Sequence, residues 1–89
     1  MQDDDSADEV YQRVLGKRIR VLRVVRDLSQ DELARSAGVT RNYVSAIERG
    51  VQGVDVVRLR RLASALDIDL AKLLAEVEAG LVEGFRPPR

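Results

Sequence analysis

The sequence predicts an all-α domain of five helices. Three observations carry that prediction. Aliphatic residues are plentiful while Phe, Trp and Tyr make up only 3% of the chain, which suits helix packing better than a β-sandwich. Apolar residues recur three and four apart, the period of a half-buried helix, and no segment alternates as a strand does. The periodic segments are also punctuated, by Ser29, Thr40, Asp55 and Asp69 where helices would start and by Gly38 and Gly50 where they would stop. At 89 residues the chain accommodates one small domain.

The first helix is expected in "EVYQRVLGKRIRVLRVVRD". Leu15, Ile19 and Leu22 form one apolar stripe, and Val10, Val14, Val21 and Val25 form a second, about 100–120° round the helix. Two stripes imply two packing partners. Gly16 costs a helix up to about 1 kcal/mol relative to Ala, so its presence marks a close contact. Residues 1–8 are polar and acidic, and are expected to be disordered. The second helix opens on Ser29-Gln30-Asp31-Glu32, a capping box in which the hydroxyl takes one orphan N–H and Glu32 reaches back to another. Leu33, Ala34 and Ala37 supply its buried face, and Gly38 stops it. Thr40 caps a third helix over 41–49, closed by Gly50.

After the loop "VQGV", Asp55 caps a fourth helix with Val56, Leu59, Leu62, Ala63 and Leu66 on one face and Arg58, Arg60 and Arg61 off it. Asp69 begins a fifth, carrying Leu70, Leu73, Leu74 and Val77. The expected organisation is therefore an acidic N-terminus (1–8), a domain (9–79) and a tail (80–89) that ends in "GFRPPR".

Composition removes whole classes of chemistry. There is no Cys, hence no disulfide, zinc-thiolate site or thiol nucleophile, and no His, the usual general base and commonest metal ligand. The carboxylates lie at caps and chain ends, where solvation and helix dipoles explain them. No enzyme, metal or cofactor is expected. No apolar run approaches the roughly 20 residues of a membrane span, and the acidic N-terminus is unlike a signal peptide, so a cytoplasmic protein is expected. Net charge is zero, but residues 10–75 hold thirteen Lys and Arg against seven Asp and Glu, a net of about +6 between acidic ends. That basic middle fits a polyanionic partner, and it equally fits a helical domain kept soluble by its charge.

The third helix discriminates further. With Arg41 at 0°, Ser45 falls at about 40°, Arg49 at about 80°, Asn42 at about 100° and Ala46 at about 140°, while Val44 and Ile47 point the other way. One face anchors in a core and the other is polar, small in the middle and bounded by arginines. Such a helix fits the DNA major groove, where Arg forks onto guanine and Asn pairs with adenine. An ordinary amphipathic surface helix has the same outline. The short helix before it, joined by a turn containing Gly, makes the pair a helix-turn-helix. Gln30, at the start of the second helix, is placed to meet a phosphate.

The runs Gln30-Asp31-Glu32-Leu33-Ala34, Gly38-Val39-Thr40-Arg41 and Val44-Ser45-Ala46-Ile47-Glu48-Arg49-Gly50 closely resemble the helix-turn-helix signature of the Xre/Cro/phage-repressor family, from about Gly16 to Leu74. "TRNYVSAIERG" is similar to the controller proteins of restriction–modification systems. The resemblance implies a compact five-helix repressor-like domain and a sequence-specific transcriptional regulator of double-stranded DNA. In it Arg41, Asn42, Ser45 and Ala46 would face bases. Ser29, Gln30, Thr40, Tyr43, Arg49 and Gln52 would meet the DNA backbone, and Arg23 and Glu48 would form a structural ion pair. The loop Val51-Gln52-Gly53-Val54 departs from the family in lacking a cation that grips phosphate. With Arg41 and Arg49 as the only charged contacts, the salt dependence of binding is expected to be shallow.

One recognition helix reads too few base pairs to find a site in a genome, so a homodimer on a pseudo-palindromic operator is expected, with RNA polymerase as a further partner. Leu70, Leu73, Leu74 and Val77 would form the dimer interface, as apolar surface surplus to a small core. The alternative is that helix five closes its own core beneath "GLVEGF". A rival to DNA binding is a helix-turn-helix protein-interaction or antitoxin-type module, for which Gln30, Arg41, Asn42 and Arg49 would have no use.

Overall fold

The computed structural model describes residues 2–84, with side chains described for 7–82. Five helices follow in order: α1 (Gln2–Val25), α2 (Gln30–Ala37), α3 (Arg41–Glu48), α4 (Val56–Ala65) and α5 (Leu70–Gly84). There is no strand among the described residues. The core gathers Ile19, Leu33, Val44, Ile47, Leu62, Leu66, Leu73 and Val77, all essentially inaccessible to solvent. Helix α1 packs on α3 and α5, α2 on α3 and α4, and α4 on α5. The first stripe of α1 is covered as expected, but only the first half of the second is: Val10 and Val14 are partly buried, whereas Val21 and Val25, expected to pack, are 42% and 77% exposed because the helix runs on past its neighbours.

Four further expectations are corrected. Residues 2–8, expected to be disordered, continue α1. Neither Pro nor Gly interrupts that stretch, and an acidic sequence suits the first turns of a helix, where the dipole is positive. Helix α5 runs past residue 79 to Gly84, and the rest of the expected tail, 85–89, lies outside the described residues, as does Met1. Val56, assigned to the inner face of α4, is 63% exposed, because the first turn of α4 projects beyond the core that Leu59 and Leu62 enter. Most consequentially, Leu73 and Val77 are 0% exposed inside their own protomer and are unavailable to a dimer interface. Leu70 and Leu74 are partly buried against the same core. The outer part of α5 lies along α1: a Cβ on Gly80 would meet Val14 Cγ1 at 3.0 Å, and Arg18 of α1 pairs with Glu76 of α5 at 3.6 Å.

The helix joints share one design. Asp27, Gly38, Gly50 and Asp67 all adopt left-handed backbone, with φ of 60°, 71°, 76° and 58°. The next residue of each, Leu28, Val39, Val51 and Ile68, returns its N–H to a carbonyl five residues back, at Arg23, Ala34, Ala46 and Ala63. That 6→1 bond satisfies a carbonyl the helix end would otherwise leave unpaired. At three joints the apolar residue also packs on the core and is followed at once by the residue before the next helix, giving Asp27-Leu28-Ser29, Gly38-Val39-Thr40 and Asp67-Ile68-Asp69, of which Ser29 and Thr40 cap with their side chains. At the fourth, Val51 is 65% exposed.

Candidate nucleic-acid interface

Helix α3 is fixed at both ends and along its back. Thr40 Oγ1 accepts the Tyr43 N–H at 3.1 Å, capping its start. Val44 and Ile47, at 0% and 1% exposure, root it in the core. At its far end α1 lies directly on the backbone: a Cβ on Gly16 would stand 2.1 Å from the Ile47 carbonyl oxygen and 2.9 Å from that of Glu48. Only a glycine allows that approach.

Three elements then meet at one carboxylate. Arg23 of α1 donates from Nε to Glu48 Oε2 at 2.7 Å and from Nη2 to Oε1 at 3.0 Å. Its Nη1 donates to the Leu28 carbonyl at 2.7 Å. Gln30 of α2 donates from Nε2 to Glu48 Oε1 at 3.0 Å. The hydrogen bond to Glu48 holds the Arg23 proton more firmly than usual, outweighing the opposing effect of burial. With side chains 12% and 3% exposed, this is a forked charge-assisted pair largely out of water. It ties the end of α3 to α1 and to the start of α2.

What remains outward on α3 is a polar face. Arg41, Asn42 and Arg49 are exposed, with Ser45 and Ala46 partly covered between them. Arg49 Nε reaches Ser45 Oγ at 3.4 Å, lying back along that face. The face is therefore cationic at both ends and shallow in the middle.

The residues expected at the DNA backbone have internal work as well. Ser29 and Glu32 form the reciprocal capping box, at 3.0 and 2.8 Å, and the bond from the Ser29 backbone holds the Glu32 carboxyl below its usual range. Ser29 and Thr40 each spend an acceptor lone pair on a cap and keep the O–H to donate outward. Gln30 spends one amide N–H on Glu48, and Gln52 spends one on the Gly53 carbonyl at 2.9 Å; each keeps a second. Tyr43 is half-buried, its ring 5.8 Å from the Arg58 guanidinium, and burial followed by the nearby Asp55 charge pushes its hydroxyl up.

Sequence reasoning missed the inward bond of Gln30 and the seat of Arg58 against Tyr43. The second was signalled by Arg58 standing three residues after the cap Asp55, whose carboxylate accepts the Arg58 N–H at 2.9 Å and also pairs with its side chain. No acidic cluster among the described residues has the makings of a metal site, and no described helix is long and apolar enough to cross a membrane.

The helix-turn-helix family HTH_3 matches residues 19–73, which contain α2, α3 and α4 entire. The chain is 34% identical to the cryptic phage CTXphi transcriptional repressor RstR of Vibrio cholerae, over 82% of this chain and 66% of that protein. It thus spans just under two thirds of that relative's length. Among solved structures it is similar to the restriction–modification controller protein C.AhdI of Aeromonas hydrophila, with a TM-score of 0.68 at 42% identity, covering 70% of this chain and 94% of that one. It is also similar to SinR, the master regulator for biofilm formation, in complex with DNA, with a TM-score of 0.64 at 36% identity, covering 67% and 97%.

Proposed function

We propose, from the premise that the chain belongs to the HTH_3 helix-turn-helix family, that it is a sequence-specific, double-stranded DNA-binding transcriptional regulator that reads its operator with α3. The family is one of DNA-binding regulators, not of enzymes. The observation that carries the reading is the two-sidedness of α3. Its back is locked by Val44, Ile47 and the Arg23–Glu48–Gln30 cluster, while Arg41 and Asn42 stand exposed on the other side with Ser45 and Ala46 partly covered beside them. A rigid helix presenting a fork donor and an amide suits base edges in the major groove. Arg41 and Asn42 lie at the N-terminal end, the end that meets bases in helix-turn-helix complexes.

The regulator acts as a homodimer in this reading, on half-sites whose centres lie roughly 10–11 bp apart. With Leu73 and Val77 inside the protomer, pairing falls to what Leu70 and Leu74 leave uncovered on α5 and to the exposed Val56 and Val57 of α4. Sedimentation at micromolar protein tests it: a monomer that binds DNA one-to-one, without symmetry, would remove the dimer.

Selection of bound duplexes from a random pool tests the function. The wild type should enrich a two-fold symmetric sequence. Arg41→Ala should lose about 1–3 kcal/mol per half-site and relax preference at one base pair. No enrichment at any salt would overturn the reading.

A further inference from the structure

The cations of this domain fall into two groups. Arg18, Arg23, Arg26, Arg35 and Arg58 each pair with a carboxylate, on Glu76, Glu48, Asp67, Asp31 and Asp55 respectively. Among the described residues the others pair with none: Arg41 and Arg49 on α3 and its end, Arg60, Arg61 and Lys72 on α4 and α5, and Arg13, Lys17 and Arg20 on α1, the last three all exposed. Their spacing of four and three places them on a single stripe of α1, about 10 Å long at 1.5 Å per residue.

That stripe does not stand apart from α3. With Val14 it forms one side of an open groove whose other side is Glu48 and Arg49. The contact of Gly16 with the α3 backbone fixes the two sides close together. Glu48 is the one acid in the groove, and its charge is already answered by Arg23 and Gln30. The groove is therefore strongly positive. Arg49 belongs to both surfaces: it lines the groove and reaches Ser45 on the outward face of α3.

We propose that Arg13, Lys17 and Arg20 are a phosphate-binding strip that carries the DNA contact from α3 onto α1. The proposal rests on the reading that α3 binds DNA. A strand of duplex presents one phosphate per roughly 3.4 Å of axis, so a strip of about 10 Å spans about three. The loop after α3, residues 51–55, contains no cation to serve this purpose, and α1 supplies the charge from the other side of the same helix end. Such contacts position the protein and carry no base information, so they add affinity at every sequence alike. An acidic protein surface also complements three cations, but continuity with the outward face of α3 through Arg49 favours DNA.

The test is titration of a labelled duplex of mixed sequence, several helical turns long, with the full chain over a range of salt. The triple variant Arg13→Gln/Lys17→Gln/Arg20→Gln is compared with wild type and with Arg60→Gln/Lys72→Gln, which removes two unpaired exposed cations from α4 and α5. The triple variant should bind at least about tenfold more weakly at low salt. Its plot of log affinity against log salt should be shallower by about 2–3 for each protomer bound. The double variant should keep the wild-type slope. Melting temperatures check the fold, and should the triple variant melt early, the three single variants are read instead, each by a slope change near 1. An unchanged slope, or an equal change in the double variant, overturns the strip. An unchanged DNA slope with lost retention on immobilised polyglutamate overturns it in favour of an acidic protein. Failure of the wild type to bind the duplex at all would instead sink the DNA-binding reading beneath it.

Discussion

Replacing Gly16 by alanine sets two effects of opposite sign against each other. Gly16 lies inside α1, so on helix propensity alone Ala should stabilise the domain by up to about 1 kcal/mol. The added methyl, however, would stand 2.1 Å from the Ile47 carbonyl oxygen and 3.0 Å from the carbonyl carbon of Glu48. Both are backbone atoms in the last turn of α3, so no side chain can rotate away. A tolerable approach needs roughly 1 Å more, and α1 must lift from α3 by about that much. Overpacking of a close-packed interior costs typically about 1–3 kcal/mol, and the lift also strains the forked Arg23–Glu48 bonds about two turns further along α1. The expected net loss is about 1–2 kcal/mol, and for a domain of this size each 1 kcal/mol moves the melting temperature by roughly 4–8 °C. Gly80→Ala is the comparison, since its methyl would meet only the tip of Val14 at 3.0 Å. It should be neutral or slightly stabilising. Urea titrations and thermal melts of the two variants decide the matter. A Gly16→Ala protein as stable as wild type, or more so, would refute the close approach of α1 and α3.

Three further outcomes are expected. Glu48→Ala strands Arg23 largely out of water and should cost about 3–5 kcal/mol in urea titration; a loss below about 1 kcal/mol would mean the cluster is solvated and does not anchor α3. Asp27→Gly relieves a left-handed, non-glycine position and should raise stability by roughly 1 kcal/mol, seen as a higher melting temperature. No rise would show that the Asp side chain compensates its backbone. Acid should weaken the helix starts. Bonds from the Ser29 and Arg58 backbones hold the Glu32 and Asp55 carboxyls below their ordinary values of 4.5 and 3.8. Because the folded values are depressed, this stabilisation is full above those ordinary values and fades as pH falls through the folded ones. The gap in melting temperature between wild type and Asp55→Asn should therefore be constant near neutrality and begin to narrow only below about pH 4. A gap that does not narrow at all on acidification would refute the cap as its cause.

Much of this was legible in the sequence because its signals are local. Ser29, Thr40 and Asp55 cap the helices they were expected to cap, since a cap is a bond between residues three apart. The close contact at Gly16 was legible from its cost: a glycine inside a helix wants a reason. What periodicity does not disclose is which face covers which. The leucines of α5 looked surplus and instead enter or flank the protomer's own core, while of the α1 valines Val14 meets α5 at Gly80 and Val21 and Val25 stay exposed. The left-handed Asp27 and Asp67 were hidden because the usual sign of a helix stop is glycine. Arg13, Lys17 and Arg20 attracted no role, as exposed cations on a helix look alike until the fold shows which acids are spoken for. Gln30 was expected to look outward, and only the approach of α3 explains why half its amide looks in.

The connection from α3 to α4 differs from the other three joints in a way that bears on how such domains diversify. Elsewhere a partly buried apolar residue followed at once by the next helix acts as a clip, so an inserted residue would turn that helix out of register with the core. Here Val51 is solvent-facing, and four residues separate the left-handed Gly50 from the cap Asp55. Length and composition can drift in that hinge without rotating the reading helix, whose alignment is set upstream by α1 and α2. The fold therefore separates the part that must keep its angle from the part free to change its grip, and relatives should differ in chain length at 51–54 before they differ at 38–40.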